Sequence, residues 1–169
     1  MSLRTLIALG LFLAPLSASA QDWKSFSYPD LGFSVHFPAE PVEATGTYMS
    51  LTGASAPTKV YSVRQENVIY TMTVADFSQA PVDQEAAIQN AVKLWERGGT
   101  IKVDVVARIN TQFGRELSVG RTDGGQSIVA IFYFNNRLYE LHGRALPPDP
   151  GSSSFKLIRF QQSLSFQTD

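Results

Sequence analysis

Phe113 to Ala145 reads FGRELSVGRTDGGQSIVAIFYFNNRLYELHGRA, and its reading decides the class of fold. Asp123-Gly124 and Asn135-Asn136 accept positive φ, so each predicts a tight turn between antiparallel strands. The strand between them, Gln126 to Phe134, is apolar at nearly every position, which predicts a central strand covered on both faces. Two-residue turns set Val119 opposite Ile128 and Leu117 opposite Ala130, then Phe132 opposite Tyr139 and Ala130 opposite Leu141. All of these share one expected face, and a slip of one residue would invert a strand's contribution to it.

Working outward, Thr100 to Ile109 alternates Ile101, Val103, Val105, Ala107 and Ile109 with Lys102, Asp104 and Arg108. A three-residue connection, Asn110-Thr111-Gln112, places Val105 opposite Leu117 and Val103 opposite Val119, on the same face. Upstream of that strand, Asp83 is placed to cap a helix, with Glu85 in the first turn where the helix dipole favours an acid. Ile88, Ala91, Val92 and Trp95 recur at helical spacing, and Gly98-Gly99 predicts a left-handed stop. Still earlier, a turn at Glu66-Asn67 sets Val63 opposite Tyr70, Tyr61 opposite Met72 and Lys59 opposite Val74. Gly32 to Phe37 is a half-buried strand after the turn Pro29-Asp30-Leu31-Gly32, and Val42 to Leu51 is a further strand. Past the rigid exit Leu146 to Gly151, a second helix is expected over Ser153 to Ser163, with Phe155, Leu157, Ile158, Phe160 and Leu164 inward. A short strand follows through Phe166.

Met1 to Thr5 carries one cation, Leu6 to Leu16 is apolar, and Ala18-Ser19-Ala20 is a small-x-small site. That order predicts a secretory leader cleaved after Ala20, hence a periplasmic or secreted chain whose residues 21–169 form one α+β domain. Without the leader the charges are 13 basic against 15 acidic. A near-neutral chain with dispersed charge has no electrostatic footprint for nucleic acid, and no later run is long and apolar enough for membrane insertion. The absence of cysteine excludes disulfides and thiolate metal sites, so eleven Phe, six Tyr and two Trp must supply the stability through packing.

The element order, the Gly-Phe-Ser-x-x-Phe-Pro strand at Gly32 to Pro38 and the aromatic-x-x-Ser signature at Phe160 to Ser163 resemble the PsbP-like α/β/α sandwich. The chain is also similar to small secreted proteobacterial proteins of unknown function. The resemblance implies a mostly antiparallel sheet of about seven to eight strands with two helices packed on it. By analogy it also implies interaction rather than catalysis, since members of the fold are mostly binding or assembly factors.

The expected register collects Glu116, Ser118, Tyr133, Glu140 and His142 on one polar sheet face, the one constellation with general acid/base residue types. Glu116 and Glu140 would stand roughly 9 to 10 Å apart, too far to share a proton. Arg137, Tyr139 and Arg144 are candidates for a partner surface. The two histidines, His36 and His142, lie in distant strands, so no metal is expected, and no cofactor motif is present. These features favour a non-enzymatic binding or assembly module for a protein or small ligand, monomeric or weakly oligomeric. The alternative is a hydrolase using Glu140 and His142.

Overall fold

The computed structural model describes residues 23–167, so the expected leader lies outside the described residues. Ten strands and two α-helices follow in order. They are β1 (Lys24–Tyr28), β2 (Phe33–Phe37), β3 (Val42–Met49), β4 (Ser55–Gln65), β5 (Val68–Asp76), α1 (Gln84–Arg97), β6 (Gly99–Ile109), β7 (Gln112–Arg121), β8 (Gln126–Phe134), β9 (Arg137–Ala145), α2 (Ser154–Gln161) and β10 (Ser165–Phe166). Seven strands form one antiparallel sheet in the order β3-β4-β5-β9-β8-β7-β6, and β1-β2-β10 form a separate small sheet. The small sheet and α2 cover one face of the large sheet, and α1 covers the other.

Two hairpins pair as expected. Val63 faces Tyr70, Tyr61 faces Met72 and Lys59 faces Val74 across a turn in which Glu66 takes φ +54°. Phe132 faces Tyr139 and Ala130 faces Leu141 across Asn135 and Asn136, both at positive φ. The Asp83 carboxylate accepts from the Ala86 amide at 2.9 Å, and Ala87, Ile88, Ala91 and Val92 are the buried side of α1. The helix ends differently from expectation: Gly98 sits at φ −93°, in the right-handed region.

The register of β7 is the main correction. The loop after it has three residues, Thr122-Asp123-Gly124, closed by Arg121 N–H to Gly125 O at 2.9 Å and Gly124 N–H to Arg121 O at 3.1 Å. Gly124, at φ +84°, supplies the left-handed residue of this turn-plus-bulge loop. The preceding turn has two residues, because Ile109 pairs with Gln112. Val119 therefore faces Ser127 and Leu117 faces Val129, one position from the expected pairs. Likewise Val105 faces Glu116 and Val103 faces Ser118, and a bulge between Ile101 and Val103 shifts the pairing one position further, setting Ile101 opposite Val119. Leu117 and Val119 consequently pack under α1, whereas Val103 and Val105 are left 48% exposed. The single face expected for all of them is two faces.

Burial divides accordingly. Under α1 lie Leu117, Val119, Val129, Ile131, Tyr133 and Leu138. On the other side, Tyr61, Tyr70, Met72, Phe132, Tyr139 and Leu141 meet Phe33, Val35 and Phe37 of β2, Leu157 and Phe160 of α2 and Phe166 of β10. Of the five residues expected inward near the second helix, Leu157, Phe160 and Leu164 are buried, but Phe155 is 76% and Ile158 40% exposed. Residues 154 to 161 make a shorter helix than expected, after a 3-10 turn over Pro150–Ser153. Its inward stripe is correspondingly narrow. Among the described residues no helix is long and apolar enough to cross a membrane.

Candidate functional site

The corrected register divides the five residues expected on one polar face. Tyr133, Glu140 and His142 lie under α1, because Ile131 faces Glu140 and Val129 faces His142. Glu116 and Ser118 face Ala130 and Ile128, on the α2 side. The arginine and tyrosine set divides too. Tyr139 is fully buried, its hydroxyl donating to Leu31 O at 2.8 Å, so it belongs to no surface. Arg137 pairs with Asp76 at 3.3 Å at one end of β9, and Arg144 pairs with Asp123 at the other.

What gathers beneath the last turn of α1 is a row of polar groups closed by Trp95. Its indole N–H donates to Glu140 Oε2 at 3.2 Å, and its ring lies edge-on to His142 at 4.6 Å between centroids. The Arg121 guanidinium stands over the same indole, 5.7 Å from its centroid. His142 Nε2 and Ser127 Oγ are 2.9 Å apart, and Ser127 has no exposed surface. Further along, Tyr133 donates to Val82 O at 3.2 Å, tying the sheet to the chain entering α1. The Tyr48 hydroxyl is buried without a hydrogen-bond partner and feels the Glu140 charge. Tyr48, Phe77, Val82, Ala86, Ala87 and Asn90 border a hollow of about 110 Å³ at this end of the helix.

Burial sets the electrostatics. It pushes the Glu140 carboxyl up to about 7, against the pull of the Trp95 bond. It also pushes the His142 imidazole down to about 3, helped by the cations Arg121 and Arg144. Each group is therefore favoured in its neutral form. Tyr48 is raised by the same burial and by Glu140. On the other side of the sheet, burial alone raises Glu116.

The chemistry open to this row is narrow. Ser127 and His142 are spaced like a nucleophile and its base, but Glu140 turns to Trp95 rather than to the imidazole, so no third group orients the base. Ser127 is also fully buried, with no surface of its own to meet a substrate. Ser127, Trp95 and Tyr48 are absent from the set legible in sequence. The helical stripe marks Trp95 as an anchor, but nothing local announces its indole bond to Glu140. Among the described residues no group of three His, Cys, Asp or Glu is arranged to hold a metal ion.

The α2 side differs in character. Val103, Val105, Glu116, Leu117, Ser118, Ile128 and Gln161 line a hollow of about 160 Å³ beside the end of α2. Gln161 closes its inner edge, donating to Val129 O at 3.3 Å. The exposed Val103 and Val105 make this a mostly apolar shelf interrupted by Glu116.

No family model and no curated protein matches this sequence. Among solved structures, it is similar to the solution structure of cyanobacterial PsbP (CyanoP) from Synechocystis sp. PCC 6803, with a TM-score of 0.57 and 8% sequence identity. The match covers 93% of this chain and 99% of that one. The fold is PsbP-like; at this identity the likeness concerns architecture alone.

Proposed function

We propose that this chain is exported, is cleaved after Ala20, and works outside the cytoplasm as a non-enzymatic binding or assembly module. The observation carrying this reading is the apolar shelf on the α2 side. Val103 and Val105 stand 48% exposed beside a preformed hollow that Ile128 and Gln161 also line. An exposed apolar hollow of this kind favours an apolar segment of a protein partner over water. The closed row of Glu140 and His142 supports the same reading from the other side, since its acid and its imidazole are engaged by structural partners.

The hydrolase alternative draws on the Ser127–His142 contact. Against it stand the burial of Ser127 and the turning of Glu140 to Trp95.

Photo-cross-linking in cells tests the binding reading. A photoreactive residue at Val105 is expected to give a discrete product with another protein, whereas one at Lys93, on the exposed side of α1, gives none. Equal product at both positions, or none at either, would contradict the shelf. Reproducible turnover lost in His142→Ala would reverse the order of the two readings.

A further inference from the structure

The large sheet has two edges, β3 and β6, and they are built differently. The β3 edge is interrupted by Gly46 and carries Glu43, ion-paired to Lys59 at 3.2 Å. The β6 edge has eleven residues and no proline, with a bulge at one end only, between Ile101 and Val103. Beyond the bulge, Val103 to Ile109 pairs with β7 in unbroken register. Natural sheets usually blunt such an edge, because its free N–H and C=O groups invite another strand. Here it remains long, regular and apolar, with Val106 68% exposed.

The orientation of the free groups follows from the turn. The two-residue connection makes Ile109 and Gln112 a hydrogen-bonded pair, so in steps of two the backbones of Ala107, Val105 and Val103 also point toward β7. The backbones of Asp104, Val106 and Arg108 then point outward from the edge. Val106 is the midpoint of the regular segment.

We propose that β6 pairs antiparallel with β6 of a second copy of this chain about a two-fold axis at Val106. Charge complementarity selects this occupant. The axis places Asp104 opposite Arg108 of the other copy, twice, and Val106 opposite itself. On the other face it sets Val103 against Ile109 and Val105 against Ala107. Every cross-strand pair is then opposite in charge or apolar on both sides. Each chain brings this pattern ready: Arg108 is exposed with no ion pair among the described residues, and Asp104 uses Oδ1 for Arg115 at 2.8 Å, leaving Oδ2 for the incoming arginine. The groups exchanging hydrogen bonds across the axis are those of Asp104, Val106 and Arg108, the ones the turn leaves outward. The interface is self-complementary, as a closed two-fold requires. The result is one continuous sheet across two copies.

The edge and the α2-side shelf share Val103 and Val105, so the identity of the product cross-linked from Val105 separates the two readings: a second copy of this chain reports the pairing, a different protein the partner. Sedimentation of residues 21–169 at about 100 µM is expected to show a dimer, and Val106→Lys, which puts two cations at the axis, a monomer. Because the chain has no cysteine, Val105→Cys and Ala107→Cys can be tested separately and as an equal mixture under mild oxidation. Facing positions in such a non-hydrogen-bonded pair are about 4.5 Å apart between Cα atoms, within reach of a disulfide. The mixture is expected to give at least about tenfold more disulfide-linked dimer than either variant alone. A monomer at that concentration, a dimer indifferent to Val106→Lys, or equal cross-linking in all three samples would overturn the pairing. A chain that cross-links to another protein from Val105 yet sediments as a monomer would refute the pairing and leave the partner reading intact.

Discussion

Phe160→Ala is expected to destabilise the protein by about 3–5 kcal/mol, the range for removing a fully buried aromatic ring. Phe160 has no exposed surface, and its ring meets Phe37 at 5.2 Å, Tyr70 at 5.3 Å and Trp23 at 6.2 Å between centroids. One residue thus joins α2, the small sheet and the large sheet, so truncation leaves a cavity that no single element can close. Against a typical total of about 5–15 kcal/mol this is a large share, and the melting temperature should fall on the order of 10 °C. Phe155→Ala, on the same helix, removes a ring that is 76% exposed and should change stability by less than about 0.5 kcal/mol. Urea unfolding of both variants checks the pair. Similar losses would mean that α2 does not present Phe160 inward.

The second large effect depends on pH. Glu140 holds its proton up to about 7 in the folded protein, against 4.5 ordinarily. Between those values the folded state binds more protons than the unfolded one, so the Glu140 contribution is present below pH 4.5 and is lost as pH rises through 7. The loss is about 3 kcal/mol. Glu140→Gln keeps an oxygen for the Trp95 N–H and cannot ionise. The variant should therefore be more stable than the native chain at pH 8 by up to about 3 kcal/mol, with the gap closing toward pH 4.5. His142 acts in the opposite direction: with its pKa lowered from 6.5 to about 3, its contribution grows as pH rises through that window. It is present in both proteins and cancels in the difference. A gap that does not change between pH 4.5 and pH 8 would show that Glu140 is not held neutral by burial.

The elements that sequence makes legible are those in which two signals agree. Asp83 and the stripe Ile88, Ala91 and Val92 fix α1 together, and Asn135-Asn136 acts with Tyr139 and Leu141 to fix the last hairpin. The face of β7 has no such second signal. Its neighbour β8 is apolar on both sides, so Leu117 opposite Ala130 and Leu117 opposite Val129 look equally good. The decision rests on whether the loop holds two residues or three, and Thr122-Asp123-Gly124 allows either reading. The same ambiguity carried Glu116 and Ser118 to the wrong face. On β6, valines whose alternation reads as buried are exposed because α2 packs mainly on β8 and β9 and only its end, at Gln161, approaches β6. The site is less legible than the fold because its contacts are purely tertiary. Trp95 meets Glu140 across 45 residues, and Ser127 meets His142 across 15.

The central claim is that α1 closes the row of Glu140 and His142, so that function lies elsewhere on the molecule. NMR titration of the imidazole carbon signals tests it most directly, since the chain has only two histidines and His36→Asn leaves His142 alone. The His142 signal should stay that of a neutral ring from pH 8 to below pH 5, with half-protonation near 3, because burial and the cations Arg121 and Arg144 oppose its charge. A midpoint close to 6.5, the ordinary value, would show an open imidazole and contradict the claim.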